Sequence, residues 1–491
     1  MLTHLHVSGF KNLVDVDISF GPFTCIAGLN GVGKSNLLDA IIFLSALADR
    51  TLIDAALSVR DQGAKTGDIR GLFHHVGEHF DEEMHFKAEM IIQEKGTDDL
   101  GQLANASSTF VRYEVSLRYR RDDTTRALGS LELIKEELRH ITLGDASSHL
   151  PFKPSVRWRH DAVKNSRRTP SYISTDGAGP DRTINVHQDG GSSGKPQRLR
   201  AANLPRTVLS AANSAESPTA TLVKREMQSW RLLQLEPSSL REPDNFTAPV
   251  ELASDGAHLP ATLYHLAHAT NGSGADSAAV YTEAANLVSQ LIDDVRSVGV
   301  DRDERRQLLT LYVTGRDGTS YPARALSDGT LRFLALAVLS LDPDSRGVLC
   351  LEEPENGIHP ARIPAMIQLL RDLTADIEAP VGPGNPLRQV IINTHSPAVV
   401  MQVPEDSLIM AETIEINTGR VVFTAVQFRG LANTWRERPG EGQPISKGRL
   451  LSYLNPVGQP GPDSPAPTRP RRVIDREDIR QYKIPFSEIA G

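Results

Sequence analysis

The N-terminal part of the chain alternates apolar and polar residues in two segments, Leu2–Val7 and Val14–Phe20. A side-chain period of two is typical of half-buried strands, and the intervening Gly9-Phe-Lys-Asn12 contains turn formers, so we expect a β-hairpin. The hairpin leads into a continuous apolar run, Phe23–Ala27, which indicates a buried strand. The pattern of Asn36–Ala48 then indicates a helix.

The alternating pattern returns in Met84–Ile92 and Phe110–Arg118. Ala127–Ile141 fits either two further strands or a strand and a helix. An antiparallel sheet beside the buried strand is the simplest arrangement of these segments.

The middle of the chain is less regular. Residues 144 to about 205 are rich in turn formers and charges, as in Asp176-Gly-Ala-Gly-Pro180, and indicate a loop-rich insertion that is partly mobile. The helices predicted after it are Ala220–Leu233, Leu259–Thr270 and Ala278–Val298. None of them sustains the heptad pattern of a long coiled coil.

Regular patterning resumes after residue 306 and alternates between strands and helices. The predicted elements are a strand at Gln307–Val313, a helix at Leu331–Leu341, a strand at Gly347–Leu351, a helix at Pro360–Asp376 and a strand at Gln389–Asn393. This alternation predicts a parallel α/β core. Two more strands are predicted at Ser407–Met410 and Arg420–Gln427, and Pro456–Pro470 indicates a linker or mobile tail.

The composition limits the function classes. A net charge of −8 gives no general attraction to nucleic acid, so any DNA contact would need a local basic patch. Cys25 and Cys350 lie in apolar runs, as expected of buried thiols in a reducing cytoplasm, and no metal-ligand spacing is present. The first residues enter a strand pattern at once, so we expect no signal peptide. No apolar run is long enough to predict a membrane span.

The sequence Gly28-Leu-Asn-Gly-Val-Gly-Lys-Ser35 stands between the predicted strand and helix and fits the spacing G-x-x-x-x-G-K-[ST]. Its glycines let the backbone wrap an anion closely, with N–H groups and a helix N-terminus directed at it. Lys34 would reach the β- and γ-phosphates of ATP, and Ser35 would hold Mg²⁺. The alternative is a glycine turn between a strand and a helix, but the whole motif and both flanks match a P-loop.

The predicted strand Gly347–Leu351 ends in acidic residues. The carboxyl ends of buried parallel strands form the ligand edge of a sheet. Glu352 would bind Mg²⁺ there, directly or through water, and Glu353 would be the base that orients the attacking water. The alternative is a solvated acidic turn, which would be favoured if the P-loop were absent.

Two weaker motifs complete the set. His395 directly follows the strand Gln389–Asn393, where a neutral imidazole can donate to the γ-phosphate or position the water. Ser327 and Gly329 open the predicted helix Leu331–Leu341, and a hydroxyl, a glycine and a helix N-terminus form an anion site. Taken alone, each is an ordinary structural feature, a strand-end histidine or a serine N-cap. The order of all four motifs favours the functional interpretation.

This order resembles the ABC-type ATPase heads of the SMC and RecF proteins, and most closely the stand-alone bacterial ATPases similar to the ATPase half of OLD (overcoming lysogenization defect) proteins. The segments that carry the resemblance are Gly9-Phe-Lys-Asn-Leu13, Gly28–Ser35, Leu326-Ser-Asp-Gly-Thr-Leu-Arg-Phe333, Leu351-Glu-Glu-Pro-Glu-Asn-Gly-Ile-His-Pro360 and Asn393-Thr-His-Ser-Pro397. Together they are specific for the superfamily and weak for any one member of it.

The resemblance implies that two protomers sandwich two ATP molecules. Ser327 and Gly329 of one chain would then touch the γ-phosphate bound by Lys34 of the other, and residues 355–359 would lie beside the dimer seam. The residues implied to lie near the nucleotide are Lys11, Asn30, Gly31, Gly33 and Asn36.

The chain departs from the family pattern at two points, and one family residue has no clear counterpart. The signature reads Ser327-Asp-Gly-Thr330 where transporters have Ser-Gly-Gly-Gln, a change common in the OLD-like branch. Glu352 stands where an aspartate is usual, which leaves the division of labour between Glu352 and Glu353 open. Gln62 and Gln93 are both candidates for the Q-loop glutamine, and an exposed polar side chain explains each of them equally well.

The resemblance and the patterns together predict an α/β fold, a P-loop ABC-type ATPase head in which an antiparallel β lobe and a parallel α/β core are split by a helical and loop-rich insertion. The predicted segments are residues 1–143, the N-terminal half of the head; 144–305, the insertion or lid; 306–430, the C-terminal half of the head; and 431–491, a partly mobile extension that could bind a partner.

OLD-like chains often carry a Toprim nuclease domain after the head, and such a domain needs strand-end and paired carboxylates for two metals. Here Glu412 follows a strand and Asp475–Asp478 forms one acidic cluster, but fewer than eighty residues follow Glu412. We therefore expect no complete nuclease. The chain is predicted to be the cytoplasmic ATPase and sensor subunit of a bacterial defence complex, with the effector nuclease or toxin on a separate protein.

The alternative hypothesis is a RecF- or SMC-like DNA-repair ATPase that clamps DNA when ATP closes the dimer. Arg157, Arg159, Arg167–Arg168 and Arg198–Arg200 could supply phosphate contacts, although scattered arginines in a loop-rich segment are more often solvated. A transporter ATPase fits poorly, because the long middle segment leaves no compact helical subdomain between P-loop and signature.

Overall fold

The computed structural model describes residues 1–454 apart from residues 60–68, 122–128, 166–170, 190–194, 270–273, 291, 293, 344, 418, 420 and 438–444, and apart from the side chains of residues 274–277. The residues singled out in the sequence that lie outside this described part are Gln62, Arg167, Arg168, Pro456–Pro470 and Asp475–Asp478.

The strands of the described residues are, in chain order, β1 (Leu2–Phe10), β2 (Leu13–Ser19), β3 (Phe23–Ala27), β4 (His75–Val76), β5 (His79–Phe80), β6 (Glu83–Ile91), β7 (Lys95–Thr97), β8 (Leu103–Asn105), β9 (Phe110–Arg120), β10 (Ser130–His140), β11 (Ile173–Asp176), β12 (Thr183–Val186), β13 (Gln197–Arg200), β14 (Arg231–Leu233), β15 (Asp244–Asn245), β16 (Val295–Asp303), β17 (Leu308–Gly315), β18 (Ser320–Pro322), β19 (Gly347–Glu352), β20 (Arg388–Thr394), β21 (Leu408–Asn417) and β22 (Val422–Gly430). The α-helices are α1 (Lys34–Leu47), α2 (Leu52–Ser58), α3 (Ala146–His149), α4 (Val156–Ala162), α5 (Pro218–Gln228), α6 (Pro237–Arg241), α7 (Leu259–Ala269), α8 (Gly274–Ser289), α9 (Asp328–Leu341), α10 (Ile363–Asp372), α11 (Pro397–Gln402) and α12 (Lys447–Leu454).

The first large sheet is antiparallel, with the described strands in the order β13-β12-β11-β10-β9-β6-β1-β2. The predicted N-terminal hairpin is confirmed as β1 and β2. The prediction of two elements within Ala127–Ile141 is wrong, because β10 is a single strand. Its pairing with β9 shifts register between Leu133 and Lys135, and this irregularity interrupts the alternation in the sequence.

The stretch from residue 144 to 205 adds strands to the edge of this sheet. β11, β12 and β13 are each four residues long and pair in succession beyond β10. Strands this short, separated by turns, show little periodicity, so the sequence pattern indicated loops here.

The second large sheet has the described strands in the order β14-β19-β20-β3-β21-β22. Its neighbours pair in parallel from β14 to β21, and β22 pairs with β21 in the antiparallel sense. The predicted parallel core is therefore confirmed. Residues of β3 alternate between two apolar cores: Ile26 packs with α1 and the antiparallel sheet, whereas Cys25 and Ala27 pack with α9 and α10.

Two predicted helices are too long. α5 ends at Gln228, and the next residues form β14 at the edge of the parallel sheet, so Ala220–Leu233 is a helix followed by a strand. α8 ends at Ser289, and β16 begins at Val295 within the predicted helix Ala278–Val298. β16 pairs with β17, which also carries β15 and β18.

The C-terminal described residues are part of the head. Leu431, Ile445, Leu450 and Leu454 are buried in the core that also contains α9 and α10. No helix within the described ranges is long and apolar enough to cross a membrane.

Candidate nucleotide-binding site

The motif residues meet at the carboxyl ends of three adjacent parallel strands. Ala27 at the end of β3 pairs with Thr394 of β20, and Glu352 at the end of β19 pairs with Asn393 of β20. The P-loop, His395 and the acidic pair therefore lie side by side at one edge of the sheet, which is where parallel α/β sheets bind ligands.

The three P-loop glycines are required for different reasons. Gly31 and Gly33 have φ values of 80° and 111°, in the region that side chains disfavour. A Cβ on Gly28 would lie 2.5 Å from the carbonyl oxygen of Ala411 in β21. A Cβ on Gly33 would lie 2.1 Å from Nδ2 of Asn12. The loop is thus fixed by its own backbone and by close neighbours on both sides.

Lys34 is the first residue of α1 and is almost fully buried. Its Nζ donates hydrogen bonds to the carbonyl oxygens of Gly28 and Leu29, at 2.7 Å and 2.8 Å. Burial lowers the pKa of Lys34, while nearby carboxylates, Glu353 foremost, oppose that shift. The ammonium group therefore lies across the mouth of the loop, where phosphate oxygens can replace the two carbonyls as its partners.

The oxygen groups suited to Mg²⁺ lie next to the P-loop. Nδ2 of Asn393 is 3.5 Å from the hydroxyl oxygen of Ser35 and 3.4 Å from Oε1 of Glu352. In the described part of the chain no group of three or more His, Cys, Asp or Glu side chains could hold a metal by itself. One hydroxyl and one carboxylate nevertheless fit Mg²⁺, which takes few protein ligands and completes its shell with phosphate and water oxygens.

Glu353 and His395 form a direct pair. Nδ1 of His395 is 2.7 Å from Oε1 of Glu353, and Nδ2 of Asn356 donates to Oε2 at 2.9 Å. The backbone of Glu353 has a φ of 44°, and its N–H donates to the side-chain oxygen of Asn393 at 3.0 Å. A non-glycine residue in this region is uncommon and costs free energy, so the surrounding contacts hold this carboxylate in place.

An open cavity of about 450 Å³ adjoins these groups. It is lined by Ser35, Leu233, Gln234, Leu235, Glu236, Arg332, Leu336, Leu351, Glu352, Glu353, Pro354, Asn356 and Asn393. The candidate Mg²⁺ ligands Ser35 and Glu352 and the candidate base Glu353 therefore line the same cavity, as metal-assisted attack of water on a phosphate requires.

Ser327 and Gly329 stand apart from this cavity. Ser327 is the exposed N-cap of α9, and its hydroxyl oxygen accepts a hydrogen bond from the N–H of Thr330 at 3.2 Å. Gly329 packs so closely on the loop after β19 that a Cβ would lie 2.6 Å from the carbonyl oxygen of Gly357. The start of α9 therefore packs against the loop after β19 of the same chain, while the side chain of Ser327 remains accessible.

The remaining predicted contacts have local partners. Nζ of Lys11 forms an ion pair with Oδ2 of buried Asp39 in α1, at 2.7 Å. Nδ2 of Asn36 donates to Oδ1 of Asn12 at 2.8 Å. Asn30 is exposed at the tip of the P-loop.

A glutamine that sequence reasoning missed lies in the site. Gln234 follows β14 directly, and its Nε2 is 3.3 Å from Oε2 of Glu352. Gln93 instead accepts a hydrogen bond from Arg346 at 3.0 Å and does not line the cavity. The short apolar segment before Gln234 could have indicated a strand, but the predicted helix Ala220–Leu233 includes that segment.

The residues considered for a nuclease or for DNA contacts lie on elements other than those that carry the nucleotide motifs. Glu412 pairs with Arg429 at 2.8 Å. Arg157 and Arg159 are exposed on α4, whereas Arg198 and Arg200 are exposed on the edge strand β13.

A family of known proteins matches most of the chain. The sequence profile described as "AAA domain, putative AbiEii toxin, Type IV TA system" matches residues 23–401. This range contains the P-loop, the signature, the acidic pair and the histidine.

Shorter matches link the chain to DNA-repair proteins. It is 45% identical over 74 residues to the DNA replication and repair protein RecF of Anaeromyxobacter sp. (strain K), covering 14% of this chain and 20% of that protein. It is 43% identical over 79 residues to the DNA double-strand break repair Rad50 ATPase of Halobacterium salinarum, covering 15% of this chain and 8% of that protein. The matches thus span a fifth or less of these relatives. They confirm the predicted resemblance to the SMC and RecF group.

Solved SMC heads also match most of the chain, at low identity. A crystal structure of an SMC head bound to the C-winged helix domain of ScpA has a TM-score of 0.47 and 12% identity, covering 88% of this chain and 98% of that chain. An SMC head with an extended coiled coil, bound to the C-terminal domain of ScpA from Pyrococcus furiosus, has a TM-score of 0.44 and 10% identity, covering 87% of this chain and 96% of that chain.

Proposed function

Because the chain belongs to the family of AAA domains that its sequence matches over residues 23–401, we propose that it binds ATP with Mg²⁺ at the P-loop, hydrolyses it slowly and closes into a dimer around it. The observation that carries this proposal is the convergence at one sheet edge of Lys34, the Ser35–Asn393–Glu352 group and the Glu353–His395 pair. Each group supplies a different requirement of phosphoryl transfer to water.

The roles follow from the contacts. Lys34 exchanges its two loop carbonyls for phosphate oxygens, and Ser35 and Glu352 are the groups that would hold Mg²⁺, which neutralises phosphate charge when bound. Glu353 orients a water molecule for attack on the γ-phosphorus and accepts its proton as the bond to the β-phosphate oxygen breaks. His395 and Asn356 keep that carboxylate in position. Gln234 acts as the Q-loop glutamine through Glu352.

The dimer completes the site. Ser327 is exposed and lies outside its own chain's cavity, which suits a group that meets the γ-phosphate of a second copy. Its place at the N-terminus of a 14-residue helix adds the favourable helix dipole. Binding at Lys34 then serves to close the dimer, and slow hydrolysis reopens it.

Hydrolysis is tested with two variants and one control. Lys34→Ala should lose about 10- to 100-fold in ATP affinity, because hydrogen bonds to a charged group each contribute about 1.5–3 kcal/mol. Glu353→Gln should retain ATP binding, lose turnover and accumulate as an ATP-bound dimer in light scattering. Glu405→Gln, an exposed carboxylate outside the site, is the matched control. Equal turnover in wild type and Glu353→Gln would show that the base is misassigned.

The biological role proposed for this ATPase is that of a sensor subunit in a bacterial defence complex. The family description, which names a toxin and a type IV toxin–antitoxin system, supports that setting. Glu412 is engaged with Arg429, which supports placing any nuclease on a separate chain. The purified chain should therefore leave DNA intact with Mg²⁺ or Mn²⁺. DNA cleavage that survives Lys34→Ala would refute this role.

A DNA-repair role is the second candidate, and the matches to RecF and Rad50 favour it. ATP-dependent binding to duplex DNA, with affinity that falls steeply as salt rises, would support it. Arg198→Gln with Arg200→Gln tests the edge of β13, and Arg157→Gln with Arg159→Gln tests α4. A defence role is favoured instead if the chain co-purifies with a nuclease or toxin and binds no DNA.

A further inference from the structure

The turn between β1 and β2 lies directly on the P-loop. Nδ2 of Asn12 donates a hydrogen bond to the carbonyl oxygen of Val32 at 2.9 Å. The same nitrogen would lie 2.1 Å from a Cβ on Gly33, so the side chain fills the space beside that glycine. Asn12 therefore contacts the peptide unit that joins Val32 to Gly33.

This contact fixes the direction of an N–H group. In a planar trans peptide the carbonyl and the following N–H point in opposite directions. Because Asn12 holds the Val32 carbonyl on one side, the N–H of Gly33 is turned to the other side of the loop. A P-loop binds phosphate through N–H groups that face its concave side, so its carbonyls need partners elsewhere.

Asn12 is itself held from three directions. Its Oδ1 accepts a hydrogen bond from Nδ2 of Asn36 at 2.8 Å, which sets the orientation of the amide. The N–H of Val426 in β22 donates to its backbone oxygen at 3.4 Å. The adjacent Lys11 is in the left-handed region, with a φ of 50°, and its ion pair with Asp39 ties the turn to α1.

These contacts join the β1–β2 turn to the P-loop, to α1, which continues directly from that loop, and to β22, which is distant in sequence. A hairpin turn that served only to connect two strands would need none of them. The donor faces the loop and the acceptor faces α1, so an aspartate or a leucine of similar size cannot replace both contacts.

We propose that Asn12 is a positioning residue that orients the Val32–Gly33 peptide so that the N–H of Gly33 faces the bound phosphate. The inference rests on the proposed nucleotide site and adds to it a residue outside the P-loop. Asn12 touches no phosphate itself and acts through the loop backbone.

The experiment compares dissociation constants of MgATP and MgADP, measured by isothermal titration calorimetry, for wild type, Asn12→Asp and Asn12→Ala. Asn12→Asp keeps the acceptor for Asn36 and loses the donor to Val32. We expect it to raise both dissociation constants at least tenfold, since both nucleotides carry the phosphates that the loop binds. In turnover assays the KM should rise while kcat stays within about threefold, because the contact serves substrate and transition state alike.

The matched control is Asn385→Ala. Asn385 likewise donates to loop carbonyls, those of Asp376, Ala379 and Pro380, but it precedes β20 at the edge of the sheet opposite the site. Its nucleotide affinities should equal those of wild type. The melting temperature without nucleotide is recorded for every variant, since a merely structural role would lower it without changing affinity in the folded fraction.

The outcomes are distinct. Wild type that binds neither nucleotide would refute the proposed function and this inference with it. Wild type that binds, with Asn12→Asp and Asn12→Ala binding equally well, would overturn the inference alone. If both variants fail to fold, Asn12→Ser is used, because its shorter side chain cannot reach the Val32 carbonyl. An unchanged affinity in that folded variant would also overturn the inference.

Discussion

At the residue scale, the Glu353–His395 pair is expected to determine the rate of ATP hydrolysis and to contribute little to ATP affinity. Removing the imidazole in His395→Ala leaves Oε1 of Glu353 without the partner that lies 2.7 Å away. We expect kcat for ATP to fall at least about tenfold, since His395 positions the base Glu353 and a well-placed general base typically contributes about 10²–10⁴-fold. The dissociation constant for ATP should change by less than about threefold. A loss of affinity equal to the loss of turnover would show instead that His395 serves mainly to bind nucleotide.

A second residue, Glu136, places an ionisable carboxyl group in the core of the antiparallel sheet. Glu136 in β10 is fully buried, and its carboxyl oxygens accept hydrogen bonds from the N–H groups of Val208 and Leu209 at 2.7 Å and 2.8 Å. Burial raises the pKa of Glu136 to about 7 from an ordinary value of 4.5, against the opposing effect of Leu209, Val208 and Tyr113. The folded protein therefore binds this proton more tightly than the unfolded chain does.

Because the folded state binds this proton more tightly, protonation of Glu136 stabilises the folded protein at low pH. The stabilisation is complete below pH 4.5 and is lost as the pH rises through about 7, by about 3 kcal/mol at the order-of-magnitude level. In urea unfolding, the free-energy advantage of wild type over Glu136→Gln should thus be larger at pH 5 than at pH 8. Glu137→Gln, which removes a carboxylate paired with Arg139 on the same strand, is the control. A difference that grows with pH would contradict the argument.

At the element scale, α9 packs closely against the loop after β19 because Gly329 has no side chain. In Gly329→Ala the new Cβ would meet the carbonyl oxygen of Gly357 at 2.6 Å, and backbone on both sides leaves it little room to move. We expect the free energy of unfolding to fall by about 1–3 kcal/mol, as for other overpacked sites. Turnover should fall more than ATP affinity, because Asn356 in this loop supports Glu353. Gly382→Ala, whose Cβ would meet nothing within 4 Å, should be neutral in both measurements.

Elements that adjoin a sequence motif were predictable from the sequence, whereas short strands that depend on distant pairing were not. The P-loop between β3 and α1, the acids after β19 and His395 after β20 were predictable, because each motif and its flanking element are adjacent in the chain. Gln234 was not, because β14 has only three residues and becomes a strand by pairing with β19, more than a hundred residues later. The same holds for β11 to β13, which exist only as an extension of β10. The contact of Asn12 with Val32 also depends on tertiary packing that no local pattern records.

At the scale of the whole molecule, two sheets enclose one shared core, and α1 lies within it. The nucleotide loop therefore belongs to both sheets: its strand is in the parallel sheet, and its helix packs against the antiparallel one. A change at the P-loop can reach either sheet without passing through flexible connections. This arrangement suits the proposed coupling of nucleotide binding to dimer closure.

The C-terminal segment binds the two sheets together through one buried side chain. Arg436 donates hydrogen bonds to the carbonyl oxygens of Asp406 and Ser19 at 2.6 Å each and to the hydroxyl oxygen of Thr24 at 2.8 Å. Ser19 belongs to β2 of the antiparallel sheet and Thr24 to β3 of the parallel sheet. Burial lowers the pKa of Arg436 to about 9, with Asp406 acting in the opposite direction. The cost of burying this charge is offset by these three acceptors, one for each guanidinium nitrogen.

Arg436→Met should therefore lower the free energy of unfolding by about 3 kcal/mol or more, since each buried acceptor left without a donor costs about 1–3 kcal/mol. Arg436→Lys should recover only part of this, because a single ammonium group cannot span acceptors on both sheets as the planar guanidinium does. Arg449→Met, at an exposed position on α12, is the matched control for loss of charge in the same segment. The free energies of unfolding of these variants are compared in urea. If thermal melting of Arg436→Met shows two transitions, this arginine is what makes the two sheets unfold together. Equal stability of Arg436→Met and Arg449→Met would show that the apolar contacts of the C-terminal segment are sufficient by themselves.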